Sequence, residues 1–264
     1  MSAPLAVGNS RVKEARKLSR RSERSERRLF LADGPKAVEG ALSVPGCVVE
    51  VFATVAASEQ YAVLREAAPV WTPVEDRALA SLSDSVHPQG VVALCRHLDR
   101  PLDHVLDPAP ALVAICADVR DPGNAGTVIR CADAAGAGAV VLAGHSVDAY
   151  NPKTVRATVG SLFHLPVALS TDAVEAVLAA QSAGLVVLAA DGNGEVSLDD
   201  AIDDGLLSRP TSWLFGNEAW GLPDELAALA DHRVAIPIHG RAESLNLSTA
   251  AAICLYASAR AQRR

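Results

Sequence analysis

Short runs of aliphatic residues alternate along the chain with stretches of helical period, and the series runs through twice. In the first series, LFLADGPKAVEGAL (29–42) reads as a short strand, a turn at Asp33-Gly34-Pro35 and a helix, with Pro35 suited to its first turn. VVEVFAT (48–54) reads as a strand, 59–67 and 75–82 as helices, and 91–95 as another strand preceded by His87-Pro88-Gln89-Gly90. At 99–110 the pattern breaks, because Pro101, Pro108 and Pro110 cluster there with Asp and His, and a linker is expected. The second series opens at 112–117, continuously apolar, as in a strand covered on both faces. Asp121-Pro122-Gly123-Asn124 interrupts it. The helix that follows puts Val128, Cys131, Ala132 and Ala135 on its inner face, with Gly136 placed to end it. Strands are expected at 139–143, 167–169, 185–190, 212–215 and 234–236, and helices at 151–161 and 171–183. Strands separated by helices or long crossovers predict a parallel sheet. In the last helix Leu247, Ala250, Ala251, Cys254 and Ser258 share a face, and Asn246 or Ser248 can cap its start.

Composition narrows this picture. The 264 residues suffice for two domains, and with 50 % hydrophobic but only 4 % aromatic residues the cores must be built from Ala, Val and Leu. No apolar run approaches the ~18 residues of a membrane helix, and no leader layout opens the chain, so a soluble, cytoplasmic protein is expected. Cys47, Cys95, Cys116, Cys131 and Cys254 are scattered without C-x-x-C spacing, which favours reduced thiols over disulfides or a metal site. The net charge of −7 is unevenly spread. Residues 1–10 read as a frayed tail. Residues 11–28 carry nine Lys/Arg against three Glu, giving +6 and leaving −13 for the rest. On one continuous helix Lys13, Lys17, Arg20, Arg24 and Arg27, with Arg11 before them, would align as a cationic stripe. Such a stripe suits RNA phosphates; the same pattern also fits a solvated helix without a partner.

A Rossmann-like sheet would satisfy the periodicity, but the dinucleotide fingerprint is missing. Gly136-Ala137-Gly138 follows a helix instead of opening one, and no P-loop occurs. Three segments carry more information: DVRDPGNAGTVIRCADAAGAGAVVL (118–142), WLFGNEAWGLP (213–223) and RVAIPIHGRAESLNLSTAAAICLYA (233–257). In this order they resemble the SpoU-type, or TrmH-like, RNA ribose 2′-O-methyltransferases of the SPOUT superfamily. The resemblance implies an α/β catalytic domain over 111–264 with a parallel sheet and a deep trefoil knot. The phrases GPKAVEGA and HPQGVVAL make residues 11–98 similar to the basic arm and L30e-like RNA substrate-binding domain that precede the catalytic domain in such enzymes. It further implies S-adenosylmethionine as cofactor, a homodimer formed through the knotted domain, no metal, and a ribose 2′-hydroxyl in 23S ribosomal RNA as target. A tRNA ribose is the alternative within the class. A non-catalytic RNA-binding or ribosome-assembly factor is the alternative outside it.

The chemistry explains the residue types. A ribose hydroxyl is a weak acid, so a methyl acceptor needs cationic and hydrogen-bonding groups around it and its phosphates. The family pattern implies catalytic roles for Asn124 and Arg130 in the first segment, Glu218 in the second, and Ser244 and Asn246 in the third. Because a guanidinium stays charged, Arg130 is expected to hold a phosphate and stabilise an alkoxide rather than act as a base. The resemblance implies largely backbone cofactor contacts at Gly216, Ile236 and Leu245, with Leu214 and Ile238 nearby, and RNA contacts are expected from the basic arm at Arg11, Lys13, Lys17, Arg20, Arg24 and Arg27. The chain departs from the family at Ala219, where glycine is usual, at Leu247 for valine and at Ile238 for methionine. If position 219 needs a positive φ, alanine there is strained.

Overall fold

The computed structural model describes residues 3–263; Met1 and Ser2 of the expected tail and Arg264 of the expected catalytic domain lie outside the described residues. Contacts divide the chain into two compact units, one running to Leu98 and including Asp148–His164, the other holding Asp99–Val147 and the chain from Leu165 onward.

In the first unit, helices α1 (Ser10–Arg16) and α2 (Arg21–Arg27) are joined by a 3-10 turn, Lys17–Ser19. Then follow β1 (Leu29–Asp33), α3 (Pro35–Ser43), β2 (Val48–Ala53), α4 (Val55–Gln60), α5 (Ala62–Ala67), β3 (Trp71–Pro73), α6 (Asp76–Ala80) and β4 (Val91–Arg96). The sheet order is β1-β4-β2-β3, with β4 antiparallel to β1 and β2. Val12, Ala15 and Leu18 bury against Leu31, Phe52, Val74 and Leu79, so the basic arm is part of this core.

Two expectations are corrected here. Residues 3–10 are not a loose tail: Leu5 pairs with Val74, and Asn9 caps α1 through its side chain. The continuous helix that would align a cationic stripe does not form, because a 3-10 turn and the extended Arg20 (φ −90°, ψ 135°) separate α1 from α2. Arg24 turns inward, 2 % exposed, and binds Asp148 and the carbonyls of Leu18 and Ser19. Arg11 pairs with Glu50. Lys17 pairs with Glu14, Arg20 with Glu23, and Arg27 with both, so acidic neighbours in the same arm already engage these cations.

The remaining elements, in order, are α7 (Leu102–Leu106), β5 (Leu112–Ala117), α8 (Pro122–Ala135), β6 (Ala139–Ala143) and α9 (Pro152–Thr158), then β7 (Val167–Ser170), α10 (Ala173–Ser182) and β8 (Val186–Ala190). After these come β9 (Val196–Ser197), α11 (Leu198–Asp203), β10 (Thr211–Phe215), α12 (Asp224–Ala227), β11 (His232–Ala235) and α13 (Leu247–Ala261). The second unit is built on a seven-stranded sheet of order β7-β6-β5-β10-β8-β11-β9, parallel throughout. One face buries Val177 and Ala180 of α10 with Val105 and Leu106 of α7. The expected linker thus contributes a core helix. On α13, Ser258 is fully buried and accepts the indole N–H of Trp213 at 2.8 Å. Its small residues let α13 lie close to α8 and the strands β5 and β10.

The other difference concerns 148–164. Sequence places this stretch in the catalytic half, yet α9 packs on β1, and Phe163 stacks 6.1 Å from Phe30. Helical period shows that a helix has an inner face, not which sheet it covers.

Candidate active site

From β5 the chain moves outward through β6 to β7, then crosses back so that β10 lies between β5 and β8. Loops leaving neighbouring strands in opposite directions open a crevice at the strands' carboxyl ends. All three segments singled out from the sequence emerge there: 118–124 after β5, 216–222 after β10 and 236–246 after β11.

The loops are tied by specific bonds. Asp118 adopts φ 56°, and its carboxylate accepts the His145 N–H at 2.6 Å. Its carbonyl accepts the side-chain amide of Asn217 at 2.7 Å, and Asn217 is 6 % exposed. The turn after β10 closes through reciprocal backbone bonds of 2.9 Å between Asn217 and Gly221. Gly221 carries the positive φ of this turn (71°) and Ala219 does not, so the departure from glycine at 219 imposes no backbone strain. Gly216 must be glycine for another reason: a Cβ there would lie 2.4 Å from the Gly221 carbonyl carbon.

This turn delivers Glu218 to the start of α8. Its carboxylate accepts the Asp121 N–H at 3.0 Å, the Arg120 N–H at 3.2 Å and the Asn124 side-chain amide at 3.3 Å. Partial burial pushes the carboxyl up, but the N–H groups of Glu218, Asp121 and Arg120 and the Asn124 amide together outweigh it and hold the group below its ordinary range. Asp121 caps α8 by accepting the Asn124 N–H at 2.7 Å. Asn246 then donates from its amide to Asn124 Oδ1 at 3.2 Å while its own oxygen caps α13, accepting the Ser248 N–H at 2.9 Å. Residues far apart in sequence therefore form one chain: Asn246, Asn124, Glu218.

Beside it lies a cavity of about 590 Å³ lined by Gly216, Ile236, Ile238, Leu245, Ser244 and Glu218, among others. Leu214, expected among the cofactor contacts, is not in its wall. It is fully buried in the core with Leu226 and Val187, and Phe215, pointing to the other side of the strand, lines the cavity instead. Ile236, Ile238 and Leu245 lie outside strand and helix, where backbone N–H and C=O groups are not consumed by a ladder. Arg130 is exposed on α8, six residues beyond Asn124 and so about 9 Å along the axis. It joins no ion pair among the described residues. Asp118 and Asn217 were not singled out from the sequence. Both stand inside the quoted segments, and only the bonds between the loops mark them as the ties that align the site.

A parallel sheet with a strand-order reversal and a loop-built crevice over it places the chain among α/β proteins that seat a ligand at such a point. Residues 111–256 match the family model of the SpoU rRNA Methylase family, and residues 9–93 match the MRM3-like substrate binding domain. The chain belongs to the SpoU rRNA methylase family. It is 32 % identical to a 23S rRNA (guanosine(2553)-2′-O)-methyltransferase of Bacillus subtilis, over 94 % of this chain and 95 % of that one. Among solved structures it is similar to the SpoU methyltransferase AviRb from Streptomyces viridochromogenes in complex with AdoMet. There the TM-score is 0.85, with 30 % identity and 97 % and 98 % of the two chains covered. An AdoMet-bound rRNA methyltransferase from Sinorhizobium meliloti gives a TM-score of 0.80 at 34 % identity, covering 96 % and 95 %.

Proposed function

We propose that this protein is an S-adenosylmethionine-dependent methyltransferase acting on a ribose 2′-hydroxyl of 23S ribosomal RNA. The observation that carries the reading is the hydrogen-bonded chain Asn246–Asn124–Glu218 at the edge of a cavity whose wall mixes apolar side chains, Phe215, Ile236, Ile238 and Leu245, with polar ones, Asp191, Asn217, Glu243 and Ser244. The cavity suits the cofactor. Ile236, Ile238 and Leu245 offer apolar contact to a purine, the irregular backbone around them offers hydrogen bonds, and Gly216 lets the turn close tightly beside it. When bound, the cofactor supplies a methyl group activated by a sulfonium.

The residues of the chain do the rest. Glu218 fixes the start of α8, and Asn124 and Asn246 set the loop positions around the acceptor hydroxyl. Arg130 holds the phosphate beside the target ribose and stabilises charge developing on the 2′-oxygen. Ser244, in the cavity wall, orients the hydroxyl. The first unit binds the RNA; acidic residues of the protein engage Arg11, Lys17, Arg20, Arg24 and Arg27, whereas Lys13, Arg16 and Arg21 are exposed on the arm and are its candidates for a phosphate. In this reading the C-terminal segment is threaded as a trefoil knot, two copies pair through the second unit, and the enzyme works in the cytoplasm on its ribosomal substrate.

Mapping ribose methylation in ribosomal RNA from a deletion strain against its parent tests the proposal. One 23S position losing its 2′-O-methyl group is expected, and restoration by the wild-type gene but not by an Arg130→Ala copy. An unchanged 23S map rules the substrate out.

A further inference from the structure

The turn that presents Glu218 carries a side chain to which the site so far assigns no task. Trp220 is 54 % exposed, whereas Trp213 is fully buried in the same unit. The Arg120 guanidinium lies over the Trp220 ring, 5.0 Å from its centroid. Both residues flank the reaction site. The Arg120 N–H is bound to Glu218, and Trp220 stands between Ala219 and Gly221, which line the cavity although Trp220 does not. The turn is anchored at both ends, by the Asn217–Gly221 backbone pair and by the Ala219 N–H donating to Asn217 Oδ1 at 2.8 Å. The indole is therefore held on a fixed base outside the cofactor cavity.

A lone exposed apolar side chain is ordinary. An indole with a guanidinium held over its face, in the same turn as Glu218, has a more specific use. Splayed-out RNA bases are recognised by stacking on aromatic rings and on Arg planes, and this pair offers both surfaces. Its positive charge also favours a neighbouring phosphate, and its preformed geometry limits what must be ordered on binding. We infer that the Trp220–Arg120 pair is a stacking platform for a base of the RNA substrate within one nucleotide of the methylated ribose. The inference rests on the proposed function and names a contact for that site's substrate.

The test is steady-state methyl transfer to an unmodified 23S rRNA transcript by wild type, Trp220→Ala and Trp220→Phe, with filter binding of the same transcript. Trp220→Ala is expected to raise the KM for RNA and weaken transcript binding about ten- to hundredfold. The KM for S-adenosylmethionine and the oligomeric state should stay as in wild type, and Trp220→Phe should recover most of the loss. An unchanged RNA KM and affinity in Trp220→Ala overturns the platform, as does a loss that follows a change in oligomeric state or that phenylalanine does not repair. Should wild type bind the transcript yet transfer no methyl group, the proposed function fails, while the binding comparison still decides the platform.

Discussion

Asn246 caps α13 and completes the polar chain of the site, and two substitutions separate these tasks. Its oxygen accepts the Ser248 N–H at 2.9 Å, and its amide donates to Asn124 Oδ1 at 3.2 Å. Asn246→Ala removes both. Loss of the cap costs about 1 kcal/mol. Loss of one long, exposed, neutral hydrogen bond costs about 0.5 kcal/mol. Together they lower Tm by roughly 3–6 °C in a unit of this size. Asn246→Asp keeps the cap acceptor and puts a negative charge at a helix N-terminus, where it is favourable. Stability should then stay within about 0.5 kcal/mol of wild type. The carboxylate, however, faces Asn124 Oδ1 with an acceptor. Asn124 cannot recover by turning over, because its single NH2 already serves Glu218 at 3.3 Å. The loops around the acceptor hydroxyl lose their alignment, and turnover should fall about a hundredfold in both variants. Urea unfolding and single-turnover methyl transfer read the two effects separately. Wild-type turnover in Asn246→Asp, or a stability loss equal to that of Asn246→Ala, refutes the division of roles.

Three further outcomes follow from the same geometry. Arg130→Ala should lower kcat about a hundredfold with cofactor affinity by calorimetry unchanged, and Arg130→Lys should restore only part, because an ammonium lacks the planar fork; near-normal rates would remove the role. Arg24→Ala leaves Asp148, 10 % exposed, without its partner and should cost about 3–5 kcal/mol in thermal unfolding of the intact chain; a loss below about 1 kcal/mol would show the pair to be dispensable. The Glu218 carboxyl sits below its ordinary range, so its contribution to stability is present above the unfolded value of ~4.3 and is lost as pH falls through the lower folded value. Glu218→Gln should therefore depress Tm at neutral pH, and the gap from wild type should close as the solution is acidified below about pH 4. A gap that is constant with pH would deny the carboxylate this role.

Much of the second unit was legible because its strands are long, apolar and bounded by clear breakers. Leu112–Ala117, with no polar residue, became a strand buried on both faces. Gly136 closed α8 and Asn246 caps α13, as their chemistry requires, whereas Pro122, Gly123 and Asn124, read as a break before the helix, form its first turn behind the Asp121 cap. What escaped was short or non-local. The strands Trp71–Pro73 and Val196–Ser197 offer too few residues for a period to show. The 59–67 stretch broke into α4 and α5 around Tyr61, whose φ of −108° and ψ of 46° leave the helical region. Charge counting made the arm a stripe because it could not see that Arg24 would turn inward onto Asp148, 124 residues later. At the site, the segments fixed the residues, but which of them touch is a tertiary fact. Asn124, Glu218 and Asn246 meet, Leu214 faces the core, and Arg130 is exposed farther along α8.

The decisive measurement for the account is the chemical location of the transferred group. Purified protein is given methyl-labelled S-adenosylmethionine and an unmodified 23S rRNA transcript, and the RNA is digested to nucleosides and resolved. Label confined to a 2′-O-methylnucleoside, with its rate of incorporation reduced about a hundredfold in an Arg130→Ala enzyme, is the predicted result. Label on a nucleobase, or a protein that binds the transcript but neither the cofactor nor its methyl group, would contradict it.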